Sequence, residues 1–383
     1  MSTLQGNCKG FGIAGALESL GFHDHVDGHQ SAPRGRPFIR SMRSGATIHI
    51  GLPKTGTTSV QRFLALNAER LAEVGISYPR FLKKENHHAL AAYGVGSQIV
   101  HMSRMSGLNS IEEWQAWRPR FRREFLEHTT GGGHWIFSSE HIASRLNTHE
   151  RIGSLMELLD EAFEQCRIIV YVRRQDEMAI SSYSTWVRDG LTREFDIDEH
   201  IEMRNRYDFR MIIERWMAYL PKEAISIRLL PNERSDATLI EDFAAAIGIG
   251  DITNWKLPPR MNTTLSAPEV EFLRRLNEKI PHVDEQSRYR DPARYVQGAI
   301  PGPLPFLDLE SANRIMSAYR VCNEWVMRQV DSPVADPDYF APPSPRPQNE
   351  QPVELTADMG ITVAARLWKG LNDAAGRTQD RRS

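Results

Sequence analysis

The chain has 383 residues, 40% of them hydrophobic and 25% charged, enough for one large α/β domain or two smaller ones. A formal net charge of −2 removes the global basic field on which non-specific nucleic-acid affinity rests, so no nucleic-acid partner is expected and any anion site must be local. Cys8, Cys166 and Cys322 are far apart and form no C-x-x-C pair, which argues against a disulfide framework or a zinc site, and no apolar run reaches the ~18 residues of a membrane span. The weakly apolar stretch Phe11 to Leu17 is broken by glycines and lacks a clear cleavage site, so a secretory signal is not expected and a cytoplasmic location is.

Residues 1–44 are rich in Gly, His, Ser and Arg, with Arg34, Arg36, Arg40 and Arg43 near their end, and read as a mobile arm. Residues 46–64 then give a strand, a loop and a helix. Ile48 and Ile50 suit the strand, and Val60, Phe63, Leu64, Leu71 and Val74 return at helical spacing. Between them lies Gly51-Leu-Pro-Lys-Thr-Gly-Thr-Thr-Ser59. A helix N-terminus offers unpaired N–H groups and the positive end of its dipole, so Gly56 to Ser59 suit an anion, and Lys54 adds a full charge. A Walker A loop would require Lys where Thr57 stands, which weighs against ordinary NTP hydrolysis with magnesium.

Further along, residues 75–79 read as a short strand and turn, and a helix is expected to begin near Asn86. Ile111, Trp114, Trp117, Phe121 and Phe125 mark another helix that Pro119 is expected to bend or interrupt. Arg118, Arg120, Arg122 and Arg123 on it read as a solvated face rather than an acceptor site. A strand is expected over 134–140, a helix around 155–163, and a second strand over 167–173, whose unbroken apolar run suits a parallel strand covered on both faces. Helices near 176–188, 207–220 and 239–247, with a strand over 224–230, continue the alternation. The expectation is an α/β fold, a parallel sheet flanked by helices on both faces. Helices near 268–280 and 309–330 follow, then seven prolines between Pro333 and Pro352 and a last short helix near 356–371. The organisation expected is an arm (1–44), an α/β domain (45–330) with a helical insert at about 80–130 and a helical part from about 255, and a Pro-rich tail (331–383).

Ligands of open α/β sheets sit outside the carboxyl ends of the strands. The strand ending at Arg173 is followed eight residues later by Ser181, an Arg and a helical hydroxyl suited to a phosphate. The P-K-[ST]-G-T-T run at Pro53 resembles the 5′-phosphosulfate loop of the sulfotransferases, and Arg173 with Ser181 is similar to their 3′-phosphate segment. The resemblance covers about residues 45–250 and implies a P-loop-containing, nucleotide-binding fold of sulfotransferase type. It implies 3′-phosphoadenosine 5′-phosphosulfate (PAPS) as donor, held by Lys54, Thr55, Gly56, Thr57, Thr58, Ser59, Arg173 and Ser181, with no metal required. Ser59 stands where cytosolic members carry Trp, and no Pro follows Arg173 closely, so the adenine-stacking residue is left open. Arg260 to Leu265 resembles a nucleotide-closing segment of bacterial members, and reads equally well as a plain loop.

In that family the base lies at the end of the strand preceding the 3′-phosphate strand, where Ser138-Ser-Glu-His-Ile142 occurs here, so Glu140 is the favoured base and Lys54 the electrostatic catalyst. His141 is the alternative if the chain turns at Ser139, and His88, next to His87, is the other. The acceptor expected is a hydroxyl on a small molecule or carbohydrate. A divergent P-loop kinase using ATP and a nucleotide-binding protein without catalysis are the competing readings.

Overall fold

Strand β1 (Gly45–His49) is buried throughout, so both its faces need partners. Ala46 and Ile48 enter one apolar cluster. On the other face Thr47 Oγ1 accepts from Arg167 Nε at 2.7 Å, and His49 Nδ1 lies 2.9 Å from Ser138 Oγ. Burial of Thr47 and of His49 Nδ1 is tolerated because these atoms are hydrogen-bonded. The computed structural model describes residues 44–79, 86–96, 107–108, 110–130, 132–231, 236–259, 264–280, 291–331, 336–342 and 354–379. The N-terminal arm with Arg34, Arg36, Arg40 and Arg43, and residues 260–263, lie outside them.

After β1 come α1 (Thr57–Leu66), β2 (Ile76–Ser77), α2 (His88–Val95), α3 (Ile111–Thr129) and β3 (His134–Ser138). Then follow α4 (Glu140–Arg145), α5 (His149–Ala162), β4 (Gln165–Val172), α6 (Gln175–Arg188), α7 (Phe209–Met217), β5 (Ile225–Leu229) and α8 (Asp236–Ala246). The strands form one five-stranded parallel sheet in the order β2-β3-β1-β4-β5. Along β4 the side chains alternate between two cores. Ile168, Val170 and Val172 join the cluster that includes residues of α2, α3, α5 and α7, while Ile169 and Tyr171 join that of α1 and α8. Helices therefore cover both faces, as the sequence pattern predicts. The crossover order reverses beside β1, which puts a crevice at its carboxyl end.

Three local expectations are corrected, the first being an interruption at Pro119. Helix α3 runs unbroken through Pro119; both Pro119 and Gln115, whose carbonyl loses its usual donor, are exposed, so water can satisfy that carbonyl. The inward side keeps its aromatic stripe, with Phe121 stacked between Trp117 and Phe125. The helix expected over 309–330 is two helices, α9 (Leu309–Ala318) and α10 (Arg320–Met327), separated at Tyr319, whose hydroxyl donates to Ile201 O at 2.7 Å. Strand β3 stops at Ser138 and a helix begins at Glu140.

Within the Pro-rich tail, residues 336–342 are anchored. Tyr339 is buried, its hydroxyl donates to Val172 O at 3.3 Å, and Arg174 donates to the carbonyls of Tyr339 and Ala341. The terminal helix, Ala357–Gln379, docks through buried Val363 and through Arg366, which donates to the carbonyls of Gln297 and Gly298.

Candidate active site

The loop after β1 is built to present backbone N–H groups. Leu52 O accepts from Thr55 Oγ1 at 2.6 Å and from Thr57 Oγ1 at 3.3 Å, so both buried hydroxyls are used inside the loop. Lys54 and Gly56 both adopt positive φ, 68° and 79°, which turns successive peptides inward. Among the described residues, no acceptor is found for the N–H groups of Lys54, Thr55, Gly56, Thr57 and Thr58; ordinary helical bonding resumes where Ser59 and Val60 donate to Gly56 O. Such a nest at a helix start suits an anion. Of the expected loop residues, Thr55 and Thr57 can therefore offer main-chain donors only, while Thr58 is exposed and Ser59 half-buried.

Helix α6 lines one side of this nest. Lys54 Nζ donates to Thr185 Oγ1 at 2.9 Å. Arg173, just beyond β4, donates from Nη1 to Lys54 O at 3.1 Å and from Nε and Nη2 to Glu177 Oε2 at 3.1 and 3.0 Å. Glu177, Ser181 and Thr185 follow at intervals of four, which places them on one face of α6, so half-buried Ser181 sits between the residues that receive Arg173 and Lys54. Arg173 thus acts as a strut for the loop while holding an ion pair with Glu177 in the first turn of α6. Burial, then the charge of Arg173, holds the Lys54 ammonium below the usual lysine range; Glu140 opposes this.

The opposite wall is the start of α4. Ser139 N donates to His49 O at 3.0 Å and Ala143 N to Ile50 O at 3.1 Å, so this helix is pinned against the end of β1. Gly51 permits the approach. It has φ 103°, and a β-carbon there would lie 2.9 Å from Glu140 Cα. Ser139 caps the helix by accepting from His141 N, and its hydroxyl donates to Asn86 Oδ1 at 2.8 Å. Burial pushes the Glu140 carboxyl above the usual range, against the pull of Lys54 and then Arg206. His141 Nε2 lies 4.0 Å from Glu140 Oε1.

The adjacent histidines differ. His87 is fully buried, with Nε2 3.2 Å from Pro79 O and Nδ1 accepting from Ser138 N at 3.1 Å. These partners assign the proton to Nε2, and burial holds the ring down to about 3. It is a structural clamp between the loop at 86–88 and β3. His88 opens α2, buried, with Nδ1 3.4 Å from Asn86 O. Asn86, through its bond to Ser139, ties that loop to the helix start carrying Glu140 and His141.

Sequence reasoning missed the residues that complete this wall. Arg206, in the short helix Arg204–Tyr207, stacks over Trp186 with its guanidinium carbon 5.3 Å from the ring centroid, and its charge reaches both Lys54 and Glu140. Arg145 ends α4, and Asp189 acts on Lys54 from the end of α6. No motif marks these positions; they meet only through the fold. By contrast Arg118 and Arg122 are engaged elsewhere, with Ser154 and Glu161 respectively. Among the described residues no group of three His, Cys, Asp or Glu side chains could hold a metal, and no helix is long and apolar enough to cross a membrane.

No protein-family model matches the chain, and no curated protein matches it. Among solved structures it is similar to a sulfotransferase from Alicyclobacillus acidocaldarius, at 18% identity over 57% of this chain and 86% of that one, with a TM-score of 0.38. A similarity of that size shows nothing about the site, whose description stands on the residues above.

Proposed function

We propose that the chain is a PAPS-dependent sulfotransferase acting on an acceptor hydroxyl, a carbohydrate hydroxyl among the candidates. The observation that carries this reading is the facing of Lys54 and Glu140 across the carboxyl ends of β1 and β3, each close enough for its charge to act on the other. The N–H nest from Lys54 to Thr58 suits the 5′-phosphosulfate, and Arg173 with Ser181 suits the 3′-phosphate of the same nucleotide. Thr57 stands in place of the Walker lysine, which weighs against triphosphate chemistry.

In the proposed step the acceptor oxygen attacks sulfur and its proton passes to Glu140. The bond from sulfur to the 5′-phosphate oxygen breaks, leaving adenosine 3′,5′-bisphosphate and the sulfate ester. Lys54 offsets the charge that develops on the leaving phosphate oxygen. A carboxylate with a raised pKa is a stronger base once ionised, and its position at a helix start beside the loop fits proton removal from an acceptor entering from that side. His141 and His88 are assigned to acceptor contact or to support of Glu140. The test is transfer of labelled sulfate from PAPS to a panel of hydroxyl acceptors; label appearing in product with wild type and absent with Glu140→Gln supports the reading, and equal transfer by both moves the base to a histidine.

A further inference from the structure

Two cations beside this site have no role in the donor chemistry. The Nε atoms of Arg145 and Arg206 are buried and have no hydrogen-bond partner. Neither guanidinium forms an ion pair with a carboxylate among the described residues, whereas Arg173, Arg174 and Arg228 each do. Their placement is specific. Arg145 closes α4, the helix that Glu140 opens, and Arg206 is stacked on Trp186, the neighbour of the Thr185 that holds Lys54. The buried Tyr207 hydroxyl interacts with the Arg206 guanidinium and with Ser182, in both cases outside strict hydrogen-bond geometry.

Both residues are half-buried, yet each keeps one buried donor without a partner, which is costly, and two guanidiniums that feel one another repel. Burial, then Arg206, depresses the Arg145 guanidinium, and burial does the same to Arg206. The carboxylate whose charge reaches Arg206 is Glu140, and Lys54 competes for it. A planar guanidinium carries five donors suited to a two-oxygen anion.

Resting on the sulfotransferase reading of the site, we propose that Arg145 and Arg206 bind an oxyanion carried by the acceptor, a carboxylate or sulfate ester on the same molecule as the hydroxyl presented to Glu140. The acceptor class is then an acidic saccharide or another polyhydroxy acid, and the subsite selects it over its neutral counterpart. Trp186 holds the Arg206 guanidinium in place by stacking beneath it.

The experiment is a calorimetric comparison of glucuronate with glucose on the full chain, first saturated with adenosine 3′,5′-bisphosphate and then without it. Wild type is expected to bind glucuronate at least ~10-fold more tightly than glucose, and the double variant Arg145→Gln/Arg206→Gln to keep less than a ~2-fold difference. Circular dichroism of the double variant checks that it folds; if it does not, Arg145→Gln alone, a change at a half-buried helix end, must still lower the preference. Equal affinity in wild type, including no binding of either sugar, overturns the proposal, as does a preference that survives the substitutions. If the bisphosphate does not bind wild type, the donor reading fails by itself, and the glucuronate preference measured without nucleotide still decides the subsite.

Discussion

Gly51 and Glu140 meet backbone to backbone, so closely that a β-carbon on Gly51 would lie 2.9 Å from Glu140 Cα. The contact couples the end of β1 to the first residue of α4, and so fixes where the carboxylate stands relative to Lys54. Gly51→Ala must displace that helix start and also strain a residue at φ 103°. The expected loss is about 2 kcal/mol of stability, read as a lower denaturation midpoint, with turnover falling more than nucleotide affinity.

Glu140→Gln removes the proton acceptor and keeps the shape. Bisphosphate binding should persist while transfer falls at least ~100-fold. In wild type, Glu140 must be ionised, and its pKa is raised, so kcat/KM should rise with pH through a value above the ordinary glutamate range. Lys54 must be protonated, and its pKa is lowered, so the rate should fall again at a pH below the ordinary lysine range. A rate profile that is flat across both limbs contradicts these roles.

Arg173 is shared between the loop and Glu177. If its guanidinium takes the donor's 3′-phosphate, Glu177 competes with that phosphate. Arg173→Ala should weaken adenosine 3′,5′-bisphosphate at least ~10-fold, whereas Glu177→Gln should leave binding unchanged or tighten it. Weakening by both substitutions would mean that the ion pair serves the loop alone.

His87 and His49 are buried and neutral in the fold, each with a pKa lowered to about 3. The unfolded chain, with histidine near 6.5, binds more protons between those values, so stability is full above about 6.5 and is lost as pH falls toward about 3. Each contributes a slope of about 1.4 kcal/mol per pH unit inside that window. His87→Gln should be less stable at neutral pH and show a shallower acid limb in denaturant titrations.

Much of the frame was legible because its signals are local. The loop from Gly51 to Ser59 announces itself by composition, and the unbroken apolar run of β4 reflects burial on both faces. Glu140 was legible as a residue but not as a helix start, since the cap at Ser139 needs only a hydroxyl and β3 could equally have continued. Arg173 resembled a phosphate ligand; its pairing with Glu177, four residues on, follows from the helix it precedes. Arg145 and Arg206 carried no signal, because an arginine's burial and its neighbours across 61 residues of chain are set by packing, not by pattern.

The most direct measurement of the central claim is calorimetric titration of the full chain with adenosine 3′,5′-bisphosphate and, separately, with ATP and magnesium. The site described here predicts tight binding of the bisphosphate, lost with Arg173→Ala, and ATP at least ~10-fold weaker with no gain from magnesium. Tight binding of magnesium ATP with no binding of the bisphosphate would contradict it and point to a kinase built on the same loop.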